Sequence, residues 1–136
     1  MREIARALLV SEIAIHQRLV RTKKKIKNAG IAYKVPDQAE LQQSLDSVLT
    51  VIYLIFNESY SAYEGLTLTR DELGEEAIRL AQVLHQLLPS PEVAGLLALM
   101  LLHQSRNTAR SSSEFSFIHL EQQNRRLWDQ SKISAG

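Results

Sequence analysis

Cysteine is absent from the 136 residues, which excludes a disulfide framework and thiol chemistry and makes a reducing cytoplasm the expected compartment. The start at Met1 has no charged-then-apolar signal pattern. No apolar run is long enough for a bilayer: the longest, Val93 to Leu102 with Gly95 inside it, reads as a buried helix. No alternating pattern marks a strand. The five glycines form no phosphate-cradling loop, and His16, His85, His103 and His119 show no metal spacing such as H-E-x-x-H. Neither a Ser-His-Asp set nor a carboxylate pair sharing a helical face emerges, so neither an enzyme nor a cofactor is expected.

What is present is divided by charge. The net charge of +1 conceals a segment, residues 1–34, in which nine Lys/Arg stand against two acids, a surplus of +7. Residues 35–136 hold seven against thirteen, a deficit of −6. Such asymmetry points to a polyanion-binding arm attached to a body that does not bind polyanions.

The helical period dominates throughout, and the expected fold class is all-α: a partial helix-turn-helix of two helices followed by a small helical bundle. Residues 1–29 form the helix-turn-helix part, residues 30–36 a linker, and residues 37–136 the bundle. Arg2 to Leu9 reads as a short helix, Val10-Ser11 as the turn, and Glu12 to Asn28 as a second helix capped by Ser11 and stopped by Gly30. Its expected core stripe is Ile15, Leu19, Thr22 and Ile26.

Asp37 and Glu40 make a capping box opening a helix whose apolar face runs from Leu41 to Phe56, and Asn57 to Leu68 reads as loop. Within it the polar block Asn57 to Ser61 is read as a hydrogen-bonded cap rather than as catalytic machinery, and Tyr53, Tyr60 and Tyr63 as core-filling. Thr69 and Glu72 open a helix to Leu88 with Leu73, Ala77, Leu80, Ala81, Leu84, Leu87 and Leu88 as its face. Ser90 caps a nearly all-apolar helix from Glu92 to Ser105 with Pro91 at its first position. Arg106 to Ser116 reads as loop, and Asn124 to Ser134 as a last helix.

With Ile15, Leu19, Thr22 and Ile26 turned inward, the Glu12 to Asn28 helix presents Ile13, His16, Gln17, Val20 and Lys24 on its other side. Such a helix reads bases through its N-terminal residues, here Glu12, Ile13, His16 and Gln17: Gln pairs with adenine, and Ile touches a thymine methyl. Arg18, Arg21, Lys23 and Lys24 fall where phosphates would be met. A helix-turn-helix leans on at least one helix on its N-terminal side, so the chain is expected to be an interior piece of a larger DNA-binding protein.

Taken in order, Glu3-Ile4-Ala5, Leu8, Ser11, Ile15, Arg18-Leu19, Arg21 and Lys23 resemble the promoter-reading domain of the extracytoplasmic-function sigma factors of RNA polymerase. Ala29-Gly30-Ile31, Val35-Pro36, Val51 through Ala62, Glu76 through Ala81, Gly95 through His103, and Arg125 through Asp129 resemble the long helical extension of one sigma subgroup. The resemblance implies a transcription regulator that binds promoter DNA, with RNA polymerase core as partner of the full-length parent and no membrane partner. It departs from the family in three ways. The polymerase-gripping domain and the first half of the promoter-reading domain have no counterpart, so the segment is not expected to initiate transcription itself. Leu9 stands where many helix-turn-helix turns have glycine. Gln104, Gln122 and Asn124 are amides where the subgroup tends to carry acids.

A rival reading uses the same residues. Without covering helices, Ile4, Leu8, Ile15 and Leu19 are expected to lose part of their cover, and Ile13 and Val20 are apolar on the outer face as well. Such a surface would favour association with another protein, a sigma factor or a second copy, that occludes the DNA face and makes the chain a negative effector.

Overall fold

The computed structural model describes residues 1–30, 37–60, 71–110 and 118–136, and all regular structure among them is helical. The chain divides into two compact units, Met1–Asp46 and Ser47–Gly136, with the division inside one long helix. Most of the expected 30–36 linker, and Thr69, Tyr63 and the 61–68 part of the expected loop, lie outside the described residues.

In the first unit α1 (Arg2–Ala7) is followed by α2 (Glu12–Asn28). Ser11 caps α2 as expected, its hydroxyl accepting from the Ala14 amide at 3.2 Å. The turn is a helix C-terminal motif of defined geometry: Val10 donates to the Ala5 carbonyl at 2.9 Å and Leu9 to that of Arg6 at 3.0 Å. That pairing satisfies two carbonyls at the end of α1 and requires a left-handed residue between them. The residue is Leu9, at φ +52° and 92% exposed. Gly30, at φ +58°, ends α2 without strain. The expected core stripe of α2 is corrected by the burial: only Ile15 is buried, whereas Leu19 and Ile26 are 39% and 49% exposed. Two short helices bury one ridge of each, here Ala5 and Ile15, and leave the flanking positions in solvent.

The helix α3 (Gln38–Tyr60) opens with the expected capping box: Glu40 donates to Asp37 Oδ1 at 2.9 Å, and Asp37 to Glu40 Oε2 at 3.0 Å. It runs a turn further than expected, so Asn57 to Tyr60 are helical rather than loop. The polar side chains there act on the helix's own end, Ser59 donating to the Phe56 carbonyl at 2.7 Å.

In the second unit, Ile52 and Phe56 of α3 meet Ala77, Ile78 and Ala81 of α4 (Asp71–Leu87) and Met100 and Leu101 of α5 (Pro91–Gln104). The α4 stripe is rotated from the expected one: Gly74, Ala77, Ile78 and Ala81 are buried, while Leu73 and Leu87 are 39% and 74% exposed. Small residues won the inner position because they let helix axes approach closely. At Gly74 a Cβ would stand 2.7 Å from Ser59 Oγ and 3.1 Å from Gln104 Oε1. Ser90 and Pro91 start α5 as expected, Ser90 Oγ accepting from the Val93 amide at 3.3 Å.

After α5 comes the one-turn α6 (Asn107–Arg110), inside the stretch expected to be loop. The single last helix expected from Asn124 to Ser134 is instead a 3-10 turn, Arg125–Leu127, and a short α7 (Gln130–Ala135), with a further 3-10 turn, Leu120–Gln122, ahead of them. Asn124 and Asp129 break it. Asn124 Oδ1 takes the Arg126 amide at 3.1 Å, and Asp129 Oδ1 takes the amides of Ser131 and Lys132 at 3.0 and 3.1 Å. Side chains of this type compete with the helical ladder and settle at its ends. The Asp129 amide then donates to the Ser105 carbonyl at 2.9 Å, tying this segment to the end of α5.

Two substitutions test this account. Leu9→Gly removes a left-handed penalty while giving up no burial, and is expected to stabilise the first unit by up to about 1 kcal/mol, read as raised amide-exchange protection along α2. Gly74→Ala is expected to lower stability by up to about 2 kcal/mol in urea, overpacking outweighing the better helix propensity of alanine. The loss should shrink in a Ser59→Ala background, where the nearest obstructing atom is gone.

Candidate functional site

The eight residues expected to face DNA, Glu12, Ile13, His16, Gln17, Arg18, Arg21, Lys23 and Lys24, all lie on α2 and are all exposed. Seventeen residues of helix extend about 25 Å, enough to lie along a groove. The eight are not equally available. Glu12 pairs with Arg2 of α1 at 3.2 Å, which places an acid–base bridge across the turn. Arg21 donates from Nε to the Gln17 carbonyl at 3.3 Å, holding its guanidinium along the helix.

Towards the C-terminal end, Arg21, Lys24, Lys25, Asn28 and Ala29 line a shallow trough of about 470 Å³. Lys25 and Asn28 are not among the residues expected from the sequence to meet DNA. Their spacing from Arg21, four and seven residues on, is the signal that could have found them, since residues three and four apart share a helix face. The side of α2 that carries Gln17 and Lys24 also carries Ile13 and Val20, 71% and 53% exposed.

A second polar cluster gathers in the other unit, where α3, α4, α5 and α6 end or begin. The Arg110 guanidinium lies 3.5 Å from the centroid of the Tyr60 ring and donates two bonds, each 3.3 Å, to the Tyr60 carbonyl. Tyr60 stacks on Phe56 at 6.0 Å and meets His103 edge-on at 4.8 Å. Asn107 Nδ2 donates to Asp71 Oδ1 at 3.0 Å and to Gln104 Oε1 at 3.3 Å, so the start of α4 is fixed to the end of α5. Gln104 is buried, and its amide here serves structure. Of the three tyrosines expected in the core, Tyr60 is there in part and Tyr53 is 44% exposed.

His103 accepts at Nδ1 from Arg106 Nη2 at 3.2 Å, because a guanidinium can only donate; the neutral ring then carries its proton on Nε2. Burial, followed by the charges of Arg106 and Arg110, holds its pKa below the ordinary 6.5. His85 differs, its Nδ1 buried without a partner among the described residues. Among the described residues no group of His, Asp or Glu is placed to hold a metal ion, and no helix is long and apolar enough to cross a membrane.

Residues 44–136, the three helices of the core and the C-terminal segment, match the model of the Family of unknown function (DUF6596). The chain belongs to that family. An uncharacterized protein of Rhizobium meliloti (strain 1021) is 45% identical over 135 residues, which are 98% of this chain and 32% of that protein. The chain thus spans about a third of the length of this curated relative, and the likeness runs through the basic first unit as well as the DUF6596 segment. No solved structure matches.

The depressed pKa of His103 has a consequence for stability. The folded chain keeps the imidazole neutral while the unfolded chain takes up a proton, so its contribution is complete above pH 6.5 and declines as pH falls towards the lower folded value. The urea midpoint is expected to drop between about pH 7.5 and 5, and His103→Gln should flatten that part of the profile. An unchanged slope in the variant would remove His103 as its source.

Proposed function

We propose that the chain is a sigma-factor-type transcription module of the extracytoplasmic-function kind, in which α2 contacts promoter DNA and the DUF6596 bundle acts as a helical regulatory extension. The observation that carries the reading is the trough formed on α2 by the exposed Arg21, Lys24 and Lys25, within a 1–34 segment whose charge is +7. Cations so arranged release counterions on meeting a polyanion, which makes binding strong and salt-dependent. Arg18, Arg21, Lys23, Lys24 and Lys25 serve phosphates; Ile13, His16 and Gln17 are placed for base edges. Glu12, drawn to Arg2, positions the turn rather than reading a base. RNA polymerase core is the partner of a full-length parent.

The exposed Ile4, Leu8, Ile13 and Val20 favour a second reading, a protein-interaction module whose DNA face is covered by a sigma factor or a second copy. Monomers at high concentration in light scattering would remove the self-association form, and failure to capture a full-length sigma protein would remove the other.

The test is binding to a labelled duplex across a salt series, beside a Lys23→Ala/Lys24→Ala/Lys25→Ala variant. Affinity is expected to fall linearly on a log–log plot, and the variant's slope to be shallower by up to about 0.9 for each phosphate it leaves unneutralised. Absence of binding at low salt would sink the DNA reading and advance its rival.

A further inference from the structure

Between the last turns of α5 and the C-terminal segment lies a recess of about 340 Å³, at the lower end of the range of small-molecule sites. Its walls are apolar, formed by Leu99, Leu102, Leu120, Ile133 and the Trp128 indole. Leu99, Leu102 and Leu120 are 41%, 43% and 50% exposed, so among the described residues this side of α5 has no full protein cover. One polar wall is Arg106. Its guanidinium bonds the neutral ring of His103 and, among the described residues, no carboxylate. The Ser105 hydroxyl is already engaged with the Leu102 carbonyl at 2.7 Å. The indole N–H of Trp128 is shut off from solvent with no acceptor among the described residues.

We propose that this recess binds a small amphiphilic carboxylate, its charge paired with Arg106 and its hydrocarbon part against Leu99, Leu102, Leu120 and Trp128. Arg106 is the cation that lines the recess, and Arg125 stands beside it, 5.6 Å from the Trp128 ring centroid. A guanidinium next to an apolar wall favours a negative charge carried on an apolar body. The C-terminal segment limits the recess to a small guest. Asp129 is bonded to the Ser105 carbonyl, and Gly136 seats so closely on α5 that a Cβ there would come within 3.2 Å of Leu102 Cγ. This site is independent of the DNA reading and either can fail alone.

Trp128 is the single tryptophan of the chain, so its fluorescence reports on the recess directly. The full chain is titrated with sodium octanoate, and in parallel with octanol and octylammonium. A saturable emission change in the millimolar range or below is expected for octanoate, with the alcohol and the cation about tenfold weaker or more. Arg106→Gln should weaken octanoate about tenfold and leave octanol unchanged, whereas Arg106→Lys should retain the preference for the acid. Circular dichroism checks that the variants are folded, and the comparison of acid with alcohol in the unaltered chain decides the matter where they are not. No saturable change, equal binding of octanol, or an Arg106→Gln variant indistinguishable from the parent would each overturn the proposal.

Discussion

The contact between Arg110 and Tyr60 holds together the end of the DUF6596 bundle. A guanidinium over an aromatic face contributes about 0.5–2 kcal/mol, and here it also donates twice to a carbonyl at the C-terminus of α3 that the helix itself leaves unpaired. A cation at that position is further favoured by the helix dipole. The consequences spread through neighbours. Tyr60 is thereby fixed against Phe56 in the core and against His103 in the last turn of α5. The single turn of α6, which delivers Arg110, brings Asn107 to Asp71 at the start of α4. Ends of four helices are thus registered through one corner, fifty residues apart in sequence between Tyr60 and Arg110.

That corner can close only because the surface facing it is small. Gly74, Ala77 and Ala81 line the inner side of α4, and Gly74 leaves room for the Ser59 hydroxyl and the Gln104 amide. A Cβ at 74 would press on Ser59, the neighbour of Tyr60, and on Gln104, which accepts from Asn107, so packing and hydrogen bonding are coupled here. The first unit has nothing comparable among its described residues. Ala5 and Ile15 are its buried apolar residues in α1 and α2, and its turn retains a left-handed leucine. The stabilising features it does show are local: the Ser11 cap and the burial of Ala5 and Ile15.

Much of this is legible in the sequence where a residue acts on its own neighbours. The caps of α2, α3 and α5 follow from Ser11, the Asp37–Glu40 pair and Ser90, whose short side chains reach amides three residues away. Periodicity locates α4 but not its inward side, because hydropathy ranks Leu73 and Leu87 above Gly74 while close packing ranks them below. The last helix escapes the pattern for a similar reason: Asn124 and Asp129 are ordinary helix-surface residues by periodicity, yet they cap. The Tyr60–Arg110 corner is out of reach, since neither residue signals a partner fifty positions away. On α2, composition marks the basic helix, but the trough with Lys25 and Asn28 emerges only from the shared face.

Both proposed uses of α2 draw on one face, and this makes them exclusive. Gln17 and Lys24, assigned to DNA in the first proposal, alternate with Ile13 and Val20, assigned to an apolar partner in the second, at three- and four-residue steps along the same side. A protein that buried Ile13 and Val20 would also desolvate Gln17 and Lys24, and an unpaired lysine under an apolar cover is costly unless an acid answers it. A partner for this face therefore needs carboxylates around an apolar centre, in effect an imitation of the DNA backbone with a hydrophobic core. The surplus of +7 argues against two copies of α2 meeting face to face and towards an acidic partner. On the proposed reading, such a partner would compete with DNA by direct occupancy of α2.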